Sequence, residues 1–339
     1  MAKFYYGGQA VMEGVMMRGR ISAAVAVRRP DQNIYLYEEA LNPNLYQNPL
    51  FRLPFLRGLL LLWEMLVLGT RLMTFSANIA TGAVDPDAPL LPPDTADPAA
   101  RDEKITGDAL TEQPEAPPKI GGLTMALTLL VSLSIAVAIF FVGPLFLASL
   151  LPSQIGGGWL NLLLEGVIRL ALLVGYLYVI GRVPDIQRIF GYHGAEHKAI
   201  NAMEQGDPLD VAHVRRASRV HTRCGTGFLL LVMVVSIFVF ALVSTPWLPL
   251  KVLSRIVLVP VVAGISYELM RLGAANYRFR VVRWLLAPGL ALQGLTTREP
   301  DDSMIECSIA ALKRVLQRDK LNSGAVHPEV DPTLPPLAV

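Results

Sequence analysis

The chain has 339 residues, 53% hydrophobic and 17% charged, with a formal charge of +2. It is too apolar for a disordered chain and too close to neutrality for a dedicated nucleic-acid binder, so sequence-specific nucleic-acid recognition is not expected. Apolar runs almost free of charge at 123–151, 159–181, 226–243 and 252–267 are of bilayer-span length, which excludes an ordinary soluble enzyme.

Residues 1–50 read as a small β unit. Ile21, Ala23, Val25 and Val27 alternate, Pro30 to Asn33 supply turn chemistry, and Ile34 and Leu36 interleave with Tyr35 and Tyr37. This predicts a β-hairpin with its turn at 30–33. The first nine residues lack an apolar core and a cleavage signal, so the N-terminus is expected in the cytoplasm. Residues 51–81 follow a helical pattern cut by Arg57, Glu64 and Arg71 at seven-residue spacing. Charges on one stripe favour an interfacial or partly inserted helix, or one packed against other spans, over an independent span. Residues 82–119 hold nine acidic residues against three basic ones, among many prolines, and read as a disordered linker. The remainder carries 27 basic and 19 acidic residues, a basic body that the near-neutral total conceals.

Residues 120–300 read as a four-span membrane domain. Pro144 interrupts the first span, and an uncharged turn at 152–158 leads to the second. The loop 182–225 holds Arg182, Arg188, Lys198, Arg215, Arg216, Arg219 and Arg223, whereas 244–251 holds only Lys251. Positive residues stay inside, so the expectation is a multi-pass protein of the cell inner membrane with the 182–225 loop and both termini cytoplasmic. Residues 281–295, beside Arg278, Arg280, Arg283 and Trp284, look interfacial or re-entrant. Within 301–339, Ser303 and Glu306 form a capping box, and Ile305, Ile309, Leu312 and Leu316 share one helix face. A short amphipathic helix over 303–318 and a polar tail follow. The fold class is a mainly α membrane protein with about four transmembrane helices, an interfacial helix and the N-terminal hairpin unit.

The sharpest chemical signal is Tyr192-His193-Gly194-Ala195-Glu196-His197-Lys198. On a helix His193 and His197 project from one face with Glu196 beside them, the order in which inverted zincins hold zinc with two histidines and use the glutamate as base. The bland alternative is a polar helix whose histidines bond locally. A catalytic zinc takes a third protein ligand. His221 and Cys224 return to the same membrane face just before the third span, and Glu268 lies at the cytoplasmic end of the fourth. For Cys224 the alternative is a buried packing thiol, and for Glu268 an interfacial pair with Arg271 or another arginine. Glu13, among the glycines and methionines of 7–19, reaches a metal or an arginine, or else sits in a strand pair packing its methionines. Within the spans Glu165 and Arg169 stand at i and i+4, and Arg255 is the other ionisable group considered. Only two cysteines occur, so a disulfide framework is excluded and a reducing compartment expected.

The segments Gly7-Gly8-Gln9-Ala10-Val11-Met12-Glu13-Gly14-Val15-Met16-Met17-Arg18, Tyr192 to Lys198, His221-Thr222-Arg223-Cys224-Gly225-Thr226 and Thr296-Thr297-Arg298-Glu299-Pro300-Asp301-Asp302 strongly resemble the YqhQ-like bacterial membrane family, domain of unknown function 1385. The resemblance covers nearly the whole chain apart from 82–119 and the C-terminal tail. It implies a multi-span membrane protein described as a predicted metal-dependent enzyme without an established reaction. It also draws attention to Arg18, Arg223, Arg298 and Asp301 as motif residues, and to Cys307 as a packing position. The leading expectation is a cytoplasm-facing metal-dependent hydrolase, zinc-type, with Glu196 as base and ligands drawn from His193, His197, His221, Cys224, Glu268 and Glu13. The competing expectation is a scaffold or regulator docking an anionic partner through Arg215, Arg216, Arg219 and Arg223.

Overall fold

The computed structural model describes residues 6–41, 53–82, 122–150, 159–243 and 247–322. The acidic segment expected as a linker and the tail beyond 322 lie outside the described residues.

The N-terminal unit is a four-stranded antiparallel sheet, not a single hairpin. β1 (Gly7–Val11), β2 (Gly14–Arg18), β3 (Ser22–Arg28) and β4 (Ile34–Ala40) pair in sequence order. The β3–β4 hairpin is the expected one, with Arg28 opposite Ile34. The β1–β2 hairpin turns through Met12 and Glu13, the latter at φ 50°, and Val11 faces Gly14 across it. Both faces of the sheet are covered, which explains why its inner strands are almost wholly apolar. Val11, Met16, Ala23, Val25 and Val27 pack on α1 (Leu56–Ala80) through Leu68, Leu72 and Ile79. Val15, Met17, Ala24 and Ala26 fill the opposite core.

α1 is 25 residues long and has the length and hydropathy of a membrane span, although its C-terminal half covers the sheet. Its heptad-spaced charges are paired within the protein. Arg57 meets Glu268, Glu64 meets Arg18 at 3.1 Å, and Arg71 meets Glu39. The stripe faces protein, which is the packed arrangement and not the headgroup-facing one of the two that the sequence pattern left open.

α2 (Gly122–Val137), a π-helical turn (Ala138–Val142) and α3 (Gly143–Ser149) form one apolar rod, with Ala126–Ser149 long enough to span. α4 (Trp159–Ile180) is the next candidate span. Outward side chains such as Leu130 and Val167 are exposed, as expected of surfaces facing hydrocarbon. α5 (Pro184–Gln205) and the short α6 (Val211–Arg216) carry the polar segment between spans. α7 (Gly225–Ala241) is apolar but 17 residues long, about 25 Å, shorter than the roughly 30 Å hydrocarbon core. The expected fourth span is two helices, α8 (Leu248–Val257) and α9 (Val259–Ala275), bent by 43°. α10 (Arg280–Thr296) occupies the stretch expected to be interfacial. Among the described residues there are therefore three candidate spans, or four with the bent pair taken as one, and the fold is mainly helical.

α11 (Asp302–Asn322) docks on the sheet and α5, burying Ile305, Leu312 and Val315. Its cap is Asp301, whose Oδ1 accepts from the Met304 N–H at 2.9 Å and from the Ser303 hydroxyl at 2.6 Å. The expected box at Ser303 is corrected by two residues, because an aspartate one turn before Met304 is an N-cap in its own right. Among the apolar helices, Glu165 is the shared partner of Arg169 at 2.6 Å and Arg255 at 2.9 Å, all three buried.

Candidate functional site

α5 starts at Pro184, preceded by an extended Val183 and followed by Asp185 in the first turn, and it ends at Gly206 with φ 82°. These are favourable start and stop residues for a helix of middling hydropathy. Its central residues are small because other chain segments pass close by. A side chain at Gly194 would drive into the Arg298 carbonyl oxygen, and one at Gly8 on β1 would sit 2.8 Å from Glu196 Cγ. The sheet, α5 and the 297–300 segment thus meet over the histidine pair.

The imidazole rings of His193 and His197 lie 4.4 Å apart. His193 Nδ1 is 2.8 Å from the Thr296 carbonyl oxygen, and His197 Nδ1 is 2.6 Å from that of Arg219. A carbonyl only accepts, so both Nδ1 atoms carry the proton, and the Nε2 atoms turn toward Cys224 Sγ and the Glu196 carboxylate. This outer arrangement is that of metal-ligating histidines. Cys224 caps α7, its Sγ accepting from the Thr226 N–H at 3.4 Å and lying 3.4 Å from His193 Nε2. Among the described residues the ligand atoms of His193, His197 and Cys224 all lie within 4.8 Å of one another. Tetrahedral zinc with ordinary bond lengths sets adjacent ligand atoms about 3.5 Å apart, so the donor set and spacing fit such an ion after slight contraction. Buried Glu196 adds a carboxylate oxygen 3.5 Å from His197 Nε2. Burial lowers the His197 pKa, but Glu196 and Cys224 outweigh it, and the net direction is upward.

His221 belongs to the wall of the site. Its ring lies 5.6 Å from that of His197, while its Nε2 accepts from Arg223 at 3.2 Å. Burial, Arg223 and the other two histidines push its pKa down to about 3. Its main chain is clamped by Gln293, which accepts from the His221 N–H at 2.9 Å and donates to its carbonyl at 2.7 Å. Gln293 was not anticipated from sequence, and Thr296 stood in a motif segment without an assigned role. The lone amide in the apolar run 284–295 was the available signal.

The two more distant carboxylate candidates are engaged elsewhere. Glu13 pairs with Arg188, Nε to Oε1 2.6 Å, and accepts from the Tyr192 hydroxyl at 3.3 Å. Glu268 pairs with Arg57, Nε to Oε1 2.8 Å, and caps the Phe55 N–H at 3.2 Å. The motif residues Arg18, Arg223, Arg298 and Asp301 serve the scaffold. Arg18 holds Glu64, Arg223 holds Glu204, Arg298 donates to the Gly181 carbonyl at 3.1 Å, and Asp301 caps α11. Of the loop arginines, Arg215 meets Asp302, Arg219 lies 3.9 Å from Glu299, and Arg216 is exposed. Burial pushes the Cys307 thiol up to about 12, in keeping with a packing role.

Two comparisons bear on kinship. The chain is 36% identical over 327 residues to the uncharacterized protein YqhQ of Bacillus subtilis (strain 168), covering 95% of this chain and 96% of that one. No solved structure matches it. Residues 53–318 match the family described as protein of unknown function (DUF1385), so the chain belongs to the DUF1385 family.

Proposed function

We propose that the chain is a membrane-associated, metal-dependent hydrolase whose divalent ion, zinc by its nitrogen and sulfur donors, is held by His193, His197 and Cys224. The observation carrying this reading is that both imidazoles direct Nδ1–H to a main-chain carbonyl and bring Nε2 within 4.8 Å of the Cys224 sulfur. A bound zinc lowers the pKa of a coordinated water toward neutrality. Glu196 Oε2, 3.5 Å from His197 Nε2, is positioned to accept the proton such a water gives up. His221, neutral and fixed by Gln293, closes the site without adding charge. In this reading the arginine-rich segment 182–225 keeps the site and both termini on the cytoplasmic side of the inner membrane.

The test is elemental analysis of purified full-length protein. Near-stoichiometric zinc is expected in the wild type, with loss of at least about tenfold in affinity for His193→Ala, His197→Ala and Cys224→Ala. Glu196→Gln is expected to keep the metal. Folded wild-type protein that takes up no divalent ion on reconstitution overturns the proposal.

A further inference from the structure

Beside the candidate site lies a cavity of about 760 Å³ between α7, α9 and α10. Its wall is hydrocarbon, formed by residues such as Leu231, Val234, Leu272 and Leu286. The polar side chains lining it are Thr222 and Gln293, which adjoin the site through His221, and Asn276, which follows α9. Gln293 is the residue that clamps His221, and Thr222 follows His221 in sequence, so the cavity ends one residue from the site wall. Gly227 and Gly289 face one another at this end, and a side chain at Gly289 would come 3.5 Å from the Gly227 Cα.

The shape of the cavity selects its occupant. Its α10 wall runs from Val281 to Gln293, about 18 Å at helical rise. That is close to the depth of one leaflet's hydrocarbon, about 15 Å. A pocket of this volume with so few polar groups binds by burying apolar surface. Two of the lining helices, α7 and α9, belong to the apolar part of the chain, where the accessible long apolar molecules are lipid chains.

We infer that this cavity holds a single long acyl chain of a membrane lipid, with the functionalised end of the chain beside Thr222 and Gln293. Resting on the hydrolase reading above, it makes the substrate class acyl-chain lipids, with the bond to be cleaved presented from the membrane side of the His193–His197–Cys224 group.

The experiment uses full-length protein in phosphatidylcholine nanodiscs containing a palmitoyl lipid with a diazirine on its chain, with the labelled residues mapped by mass spectrometry after irradiation. Labelling is expected to concentrate on cavity residues of α7, α9 and α10. Gly289→Leu and Leu231→Trp, which fill the space from two helices, are each expected to reduce it about tenfold. Val131→Trp, on an outward face of α2, is expected to leave it unchanged. Unaltered melting temperatures and elution profiles show that the filled variants are folded. Label spread evenly over outward residues such as Leu130, or undiminished in both filled variants, overturns the proposal. Cavity labelling that survives in metal-free His193→Ala supports it independently of the metal. Stoichiometric metal with no cavity labelling removes the acyl chain and leaves the metal reading standing.

Discussion

His197 and His221 sit against one another in the site wall yet titrate in opposite directions. His197, beside Glu196 and Cys224, has its pKa raised, so its contribution to stability is present below the unfolded value and is lost as pH rises through the folded one. His221 has its pKa pushed to about 3, so below about pH 6.5 the unfolded chain takes up a proton that the folded one refuses. Metal-stripped protein is therefore expected to lose stability as pH falls from about 6.5 toward 4. His221→Asn should remove part of that slope, on the order of 1 kcal/mol per pH unit, read from denaturant melts across the range. An Asn variant as steep as the wild type refutes the assignment. The histidine pair was legible in sequence because i and i+4 spacing is a property of one helix. Its third member was legible only as one of several candidates, because which of Cys224, Glu13, Glu268 or His221 approaches α5 is decided by packing between distant segments. Each carboxylate had an arginine waiting 175 or more residues away, Arg188 for Glu13 and Arg57 for Glu268. No spacing rule carries such information.

The helices were found more readily than their surroundings. α1, α4 and α11 stand where apolar periodicity suggested, whereas α5 fills half of a segment read as a loop, with only the histidine spacing to hint at a helix. The charge stripe of α1 left an interfacial helix and one packed on protein both open, and Arg18, Glu39 and Glu268 turn it inward. The first hairpin of the sheet lacks clean alternation because β2 is buried on both faces, Val15 and Met17 toward one core and Met16 toward the other. At the start of α11, the capping carboxylate belongs to Asp301, held below its usual value. Burial raises its pKa, but the Ser303 hydroxyl, the Met304 N–H and Arg188 outweigh that effect. Asp301→Ala is expected to cost about 0.5–2 kcal/mol, while Ser303→Ala costs distinctly less. Thermal melts showing the opposite order would return the cap to Ser303.

At the scale of the molecule, a polar-faced head of sheet, α5 and α11 adjoins an apolar bundle whose interior holds two arginines on one glutamate. Arg169 also donates to the Phe140 carbonyl in the π-helical turn at 2.9 Å and to the Ser236 hydroxyl at 2.9 Å, so the cations are tied to three helices. Removing their common partner with Glu165→Ala should destabilise the protein by about 3–5 kcal/mol. Replacing all three residues with apolar ones of similar volume should come close to neutral. Equal destabilisation of both variants would refute this reading of the triad. The head has a separate consequence for biosynthesis. Its sheet comes from residues 7–40, yet the helix covering one face begins at 302, and contacts such as Tyr6 with Asp319 join residues 313 positions apart. At about 5–20 residues per second, the ribosome needs about 15–60 s to deliver the second half of that contact. Throughout that interval one side of the sheet is without its native cover while the apolar helices are made. The nascent head therefore presents a hydrophobic face for a chaperone to shield until α11 emerges.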